Sequence, residues 1–313
     1  MKFTIVIPAY KDKYLREAIE SVLIQSCEDF ELIVLDDASP YPISEIVEQY
    51  VNDSRVKFFR NDINVGAINV VDNWNKCLSL ASGEYLICMG DDDCLSADCL
   101  EIYSNYIDKY PECNLFHGGT EMIDEQSDFI NIQEGRPLRE SVYSMAWHRL
   151  MRKREQYIGD FLFKISKLKE VGGFYHLPLA WASDDISAYR VAFDLGVVNL
   201  PEIVFKYRIN TINITSTGNV MIKLNAIDLE KQWYIDVLLN GPEQNTQDAK
   251  YKLLVKNNLS NAFRRKYIST YAEGIKSDLI MTFILCMKTR RSRALSRFDM
   301  IMAILIGVYR KFV

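Results

Sequence analysis

Residues Tyr85 to Leu95, YLICMGDDDCL, run an apolar stretch straight into three consecutive aspartates, Asp91, Asp92 and Asp93. Adjacent like charges repel, and burying an unpaired carboxylate is costly. A divalent cation relieves that repulsion, and hard carboxylate oxygens suit Mg2+ or Mn2+. A solvated loop also tolerates such a run. Here, however, the preceding apolar stretch reads as a buried strand, which puts the carboxylates at a strand's carboxyl end. That is where open α/β sheets bind their ligands.

Two further acidic pairs fall at element ends. Asp36 and Asp37 end a second strand, ELIVLDD, and Asp184 and Asp185 precede a helix. Taken singly, each pair can be a helix cap or a solvated turn. Three such groups at the ends of elements in one sheet can meet in one cleft, and the chemistry they suit is metal-dependent work on phosphate esters.

The elements that must position them alternate. FTIVIP is a short buried strand, and Tyr14, Leu15, Ala18, Ile19, Val22 and Leu23 follow at helical spacing. After ELIVLDD come the turn-rich ASPYP, a helix in ISEIVEQYV and a third strand in VKFFR. A polar NDINVG loop leads to a helix over roughly 67–80, and EYLICM is the fourth strand. This alternation predicts parallel strands joined by crossover helices. SADCLEIYSNYIDKY predicts a further helix with Ser96 as N-cap. Residues 115–140 read as strands and loops, 141–154 as a helix, DFLFKIS as a strand and KLKEVGGFYHLPLAW as a turn-rich segment. DISAYRVAFDLG is helical, EIVFKYRI a strand, and from about Val220 every signal is helical.

The chain has 313 residues, 49% hydrophobic and 25% charged, enough for a sizeable core. A net charge of -5 gives no reason to expect nucleic acid as a partner. Seven scattered cysteines without a CxxC fit reduced thiols and a cytoplasmic setting, and three separated histidines form no zinc pattern. MKFTIVIPAY is too short and too soon polar for a signal peptide.

The last forty or so residues differ. LIMTFILCM and MIMAILIGV are apolar runs of nine, too short for a bilayer span of about 20 residues. Between them stand Lys288, Arg290, Arg291, Arg293 and Arg297. The combination suits a helix lying in an anionic membrane surface. The other reading is a tail packed on its own domain with a solvated basic face.

The first 100 residues resemble a family 2 glycosyltransferase of the GT-A fold, of the bacterial surface-polysaccharide type. The residues that carry the resemblance are VIPAY ending at Tyr10, SVLIQSCEDFELIVLDDAS ending at Ser39, and NVG…ASGEYLICMGDDD…LE ending at Glu101. GDFLFKI, VGGF and SDD extend it to about residue 210. The resemblance implies a nucleotide-binding, mixed but mainly parallel sheet flanked by helices, with a helical C-terminal region. It implies a catalytic domain over 1–215, with a nucleotide-sugar half at 1–100 and an acceptor half at 101–215, and an extension over 216–313.

Roles follow by position. Pro8, Ala9 and Tyr10 would line the nucleobase and ribose pocket, and Asp37 would accept a hydrogen bond from the base, a uracil N3–H being the usual partner. Asp91 would face the ribose. Asp92, with Asp93 beside it, would hold Mn2+ or Mg2+, Asp92 being preferred from its spacing to Leu100 and Glu101. The general base would be Asp185 if the acidic pair is read as the family writes it, or Asp184 if counted back from Arg190; the preference is for Asp185. Two positions depart from the pattern. Trp74 precedes Asn75 where relatives often carry Arg-Asn, and Asn210 stands where many carry a histidine after a YR pair, here Tyr207 and Arg208. Arg208 is either a diphosphate contact or a structural surface arginine.

The implied activity is inverting, metal-dependent transfer of a sugar from a UDP-linked donor to an acceptor hydroxyl, in polysaccharide or lipid-linked glycan assembly. The partners would be the donor, a glycan or lipid-linked acceptor, and an anionic membrane reached by the C-terminal region. A sugar-phosphate nucleotidyltransferase needs a Gly-rich phosphate loop after the first strand, where this chain has PAYKDK. Against a nucleotide-sugar-binding scaffold without activity stand Asp92 and the Asp184–Asp185 pair.

Overall fold

The computed structural model describes residues 1–210 and 219–312. The expected boundary at 215–216 lies outside the described residues. Strand and helix alternate as β1 (Phe3–Ala9), α1 (Leu15–Leu23), β2 (Phe30–Asp36), α2 (Ile43–Val47), β3 (Val56–Arg60), α3 (Val70–Leu80), β4 (Tyr85–Cys88), β5 (Cys94–Leu95) and α4 (Cys99–Lys109). The second part adds β6 (Leu115–Ile123), β7 (Phe129–Ile132), β8 (Arg139–Glu140), α5 (Val142–Leu150), β9 (Phe161–Lys164), α6 (Ile165–Glu170), α7 (Ser183–Ala192) and β10 (Val197–Arg208). Four helices close the chain: α8 (Val220–Asp236), α9 (Thr246–Ser277), α10 (Leu279–Thr289) and α11 (Arg297–Phe312).

The strands form one mixed sheet in the order β3-β2-β1-β4-β9-β6-β10-β5, with β7 beside β6 and β8 beside β10. Its longest ladders, β1–β2, β2–β3, β1–β4 and β6–β10, are parallel. β9 runs antiparallel to both β4 and β6 and joins the two parallel halves. The central strands are mostly apolar because helices cover both faces: every residue of β2 and β4 is buried, including Glu31 and Asp36. β1 lies at the switch point, since the chain leaves it toward β2 and β3 and returns on its other side as β4. The crevice outside the carboxyl ends of β1 and β4 is therefore the place for a ligand.

One apolar cluster fills the far face of the sheet and continues into the C-terminal helices. It runs from Val6 and Leu86 through Tyr189 to Tyr234, Phe263 and Ala303. The other cluster packs Ile5 and Ile87 against Ile19 of α1 and Tyr103 of α4.

Local expectations shift in three places. Ser96 does not cap α4: the helix starts three residues later, with Asp98 at its N-cap position and no side-chain cap bond. The strand expected over DFLFKIS stops at Lys164, and its last two residues with the start of the turn-rich segment form the short helix α6, because Ile165 and Leu168 share a buried face before Gly172 and Gly173 turn the chain at positive φ. Asp184 and Asp185 lie inside the first turn of α7 rather than before it.

Candidate active site

After β4 the chain turns through Met89 and Gly90 into the aspartate run. A side chain at position 90 would push the carboxylates aside: a Cβ would stand 2.8 Å from Asp93 Oδ2 and 2.9 Å from Asp92 Oδ1. The three carboxylates then take different environments. Asp91 is buried, and its Oδ2 accepts the backbone N–H groups of Tyr10 and Lys11, each at 2.7 Å. Burial, followed by the charge of Asp92, pushes its pKa up to about 6. Asp93 is buried and accepts the backbone N–H of Arg208 at 3.0 Å. Burial and then Asp92 hold its carboxyl well above the usual carboxylate range. Asp92 keeps a side-chain exposure of 17%. Its Oδ2 receives Lys11 Nζ at 3.3 Å and Asn210 Nδ2 at 2.5 Å.

The end of β1 supplies the adjoining wall. Pro8 is half-buried, Ala9 is buried and Tyr10 is exposed with its ring edge-on to Tyr41. The carbonyl of Ala9 accepts the N–H of Asp37 at 3.0 Å, so the loops after β1 and β2 are tied together. Asp37 is buried; its Oδ1 accepts Asn61 Nδ2 at 2.8 Å and the N–H of Val65 at 3.0 Å, and its Oδ2 accepts Asn64 Nδ2 at 3.0 Å. Oδ2 thus has lone-pair capacity for another donor. Asn61 and Asn64 were legible only as part of a polar loop, and their attachment to Asp37 is a finding of the structure.

Arg208 is not at the surface and makes no opening for a diphosphate. It is 1% exposed, donates from Nε to Asp92 O, from Nη1 to Asp124 O and Ser127 Oγ, and from Nη2 to Glu17, and it covers the Tyr14 ring. It locks the aspartate loop from behind. Trp74 is core, edge-on to Phe174, and Asn75 holds the Phe174 backbone through both its N–H and its carbonyl.

The second acidic pair divides likewise. Asp185 is 3% exposed and clamped: Arg149 Nε reaches both its oxygens at 3.0 Å and Gln156 Nε2 reaches Oδ1 at 2.7 Å. Arg149 and Gln156 lie 36 and 29 residues away in sequence, with no motif to mark them. Asp184 is partly exposed, and burial together with the Asp185 carboxylate raises its pKa to about 8. A cavity of about 230 Å3 opens against Asp185, with Arg149, Trp181, Tyr234, Lys266 and Glu273 in its walls. Tyr207 is stacked on Tyr157 with ring centroids 3.7 Å apart. Its phenol pKa is raised by burial and then by the charges of Asp93, Asp92 and Asp184.

Among the described residues no group of three or more His, Cys, Asp or Glu side chains could hold a metal by itself. One accessible carboxylate, Asp92, is the share a protein contributes where substrate phosphates and water complete an Mg2+ or Mn2+ site.

The family model for glycosyl transferase family 2 matches residues 4–162. An uncharacterized glycosyltransferase of Methanocaldococcus jannaschii is 30% identical over 131 residues, 41% of this chain and 44% of its own length. The putative glycosyltransferase EpsE of Bacillus subtilis is 26% identical over 213 residues, 66% of this chain and 73% of its own. The chain spans less than half the length of the Methanocaldococcus relative and 21% of a similar Rickettsia felis protein. Among solved structures, residues 1–349 of Staphylococcus aureus TarS in complex with UDP-GlcNAc superpose with a TM-score of 0.66 at 16% identity, over 100% of this chain and 92% of that one. A mannosyltransferase of Pyrobaculum calidifontis in complex with GDP-Man and Mn2+ gives 0.58 at 17% identity, over 99% and 87%. Both likenesses are of fold.

Proposed function

The chain belongs to glycosyl transferase family 2, and we propose that it transfers a sugar from a UDP-linked donor to an acceptor hydroxyl with inversion at the anomeric carbon. One observation carries the reading. The Asp37 and Asp91–Asp93 loops meet at the carboxyl ends of β2, β1 and β4, and Tyr207 lies within reach of the charges of Asp92, Asp93 and Asp184 alike. That common neighbour supports a donor site and a general base set close to one another. The UDP-GlcNAc bound by TarS and the Mn2+ of the mannosyltransferase support the donor class and the metal by analogy.

In this mechanism Asp37 accepts from the uracil, Tyr10 and Pro8 flank the base and ribose, and Asp91 fixes the backbone beneath them. Asp92 would hold Mn2+ or Mg2+, while Asp93 shapes the loop; the ion, when bound, would supply positive charge that favours departure of the diphosphate. Asp184 takes the proton of the acceptor hydroxyl. Asp185, fixed by Arg149, positions the helix turn. The acceptor oxygen bonds to the anomeric carbon as the C–O bond to the nucleoside diphosphate breaks, so the configuration inverts. We assign the acceptor to a glycan or lipid-linked glycan, met at the inner face of the plasma membrane.

Incubation of the protein with UDP- and GDP-sugars, with and without Mn2+, tests this. The expected result is slow Mn2+-dependent release of UDP and, with acceptor, a product of inverted configuration by NMR. Tight donor binding with no turnover under any condition would leave a nucleotide-sugar-binding scaffold instead.

A further inference from the structure

Helices α10 and α11 are apolar on two faces. The inner faces pack on the last turns of α9. Cys286 of α10 and Met300 and Ala303 of α11 are buried there. Gly307 lets α11 come so near that a Cβ would stand 2.6 Å from Ala272 O, and Gly274 makes room for Thr282 in the same way. That packing satisfies the ordinary need of an amphipathic helix, and its outward positions should then be polar.

They are not. On α10, Ile280, Phe283, Ile284 and Met287 recur at i, i+3, i+4 and i+7, and all are exposed, Ile280 by 71%. On α11, Phe298, Ile301, Leu305 and Val308 form a second outward stripe, with Phe298 at 62% and Leu305 at 60%. Apolar surface of this kind marks an interaction site.

Charge identifies the partner. Residues 279–311 contain seven Lys and Arg against a single acid, Asp299. Asp299 is buried and paired with Arg264, and Arg293 is paired with Asp228. Lys288, Arg291, Arg297, Arg310 and Lys311 remain exposed around the stripes. A two-fold interface between copies must be self-complementary, and it would set these cations against one another. An anionic lipid surface takes up both the apolar stripes and the cations. No helix among the described residues is long and apolar enough to cross a membrane. We propose that the outward faces of α10 and α11 lie in an anionic membrane surface and hold the protein there peripherally. This rests on the membrane-side acceptor proposed above, and is independent of the transfer step.

Deleting the segment would uncover α9, so outward substitutions make the better test. The full chain is floated with vesicles of phosphatidylcholine alone or mixed with phosphatidylglycerol. Phe283→Ser with Leu305→Ser, and Lys288→Glu with Arg291→Glu, are compared with the parent, and donor hydrolysis in solution is followed in parallel. The parent should float only with the anionic vesicles and less so in high salt, and each double variant should lose binding by roughly tenfold or more, with hydrolysis unchanged. Absence of flotation with anionic vesicles, or variants that float like the parent, would overturn the proposal. So would light scattering that shows a dimer which the Phe283→Ser, Leu305→Ser pair converts to monomer. Flotation without donor hydrolysis in any preparation would leave the membrane face standing and remove the transferase reading.

Discussion

Arg149 Nε stands 3.0 Å from both carboxylate oxygens of Asp185. A carboxylate so clamped is fixed in place by the guanidinium and offers little to an incoming hydroxyl. Its neighbour Asp184 is partly exposed and has no such clamp. Asp184→Asn is therefore expected to lower transfer by roughly 10² to 10⁴-fold with donor affinity retained. Asp185→Asn should act mainly on stability, because its amide oxygen can still accept from Arg149 Nε but the guanidinium loses its charge partner, at a cost of about 2 kcal/mol. Single-turnover rates and thermal melts of both variants separate the roles. The opposite pattern, with Asp185→Asn inert in transfer but fully folded, would return the base to Asp185.

The same pair sets a pH dependence. Burial, then Asp185, raises the Asp184 pKa from 3.8 to about 8. Below about 8 the base is mostly protonated, so kcat/KM should rise with pH and level off above that value. Stability should move the other way. The folded state keeps a proton that the unfolded chain releases near pH 4, so this group's contribution is full below pH 4 and is lost as pH rises toward 8. Asp184→Asn should flatten both curves. A parent rate profile that is flat between pH 6 and 9 would count against Asp184 as the titrating base.

The parts of this arrangement legible in the sequence were those written locally. FTIVIP, ELIVLDD and EYLICM announce buried strands because both of their faces are covered, and the acidic residues at their ends inherit the crevice from the topology. What stayed hidden depends on distant partners. In sequence Arg208 has the character of a surface cation or phosphate contact, and only the fold brings Glu17, 191 residues away, against its guanidinium. Helix α6 is only six residues long, and its two buried side chains are too few for a periodic signal. The C-terminal runs showed their greasiness but not their two-sidedness: packing on α9 and outward exposure are both true of α10 and α11.

The aspartate run offers a test of register. Asp92 is the accessible member, and Asn210 and Lys11 already direct donors at its Oδ2. Asp92→Asn removes an ionised oxygen ligand and should abolish Mn2+-dependent binding of UDP and turnover. Asp93 points inward to the Arg208 N–H, an interaction the amide oxygen of asparagine reproduces. Asp93→Asn should therefore keep most of its Mn2+ response, while Asp93→Ala should lower stability by about 2 kcal/mol through the unsatisfied N–H. Calorimetric titration of UDP with and without Mn2+ reads the difference. Loss of metal dependence in Asp93→Asn alone would shift the metal site by one residue.

Asp37 carries two duties, and they can be pulled apart. Its oxygens organise the loop from Asn61 to Val65, and the remaining capacity of Oδ2 is assigned here to the uracil. Asp37→Ala removes both, so it should lower the melting temperature and raise the donor KM. Asp37→Asn is the informative change. It keeps one oxygen for the loop, but it places an N–H2 where two donors, Asn64 Nδ2 and the base N3–H, would have to accept. Its donor KM should rise by roughly tenfold or more while kcat falls little, because a base contact is the same in the ground and transition states. Binding of UDP should weaken in step, and binding of a sugar-free diphosphate should not. If Asp37→Asn binds UDP as the parent does, then Asp37 is a loop-organising residue alone and the uracil is read by another group in the crevice.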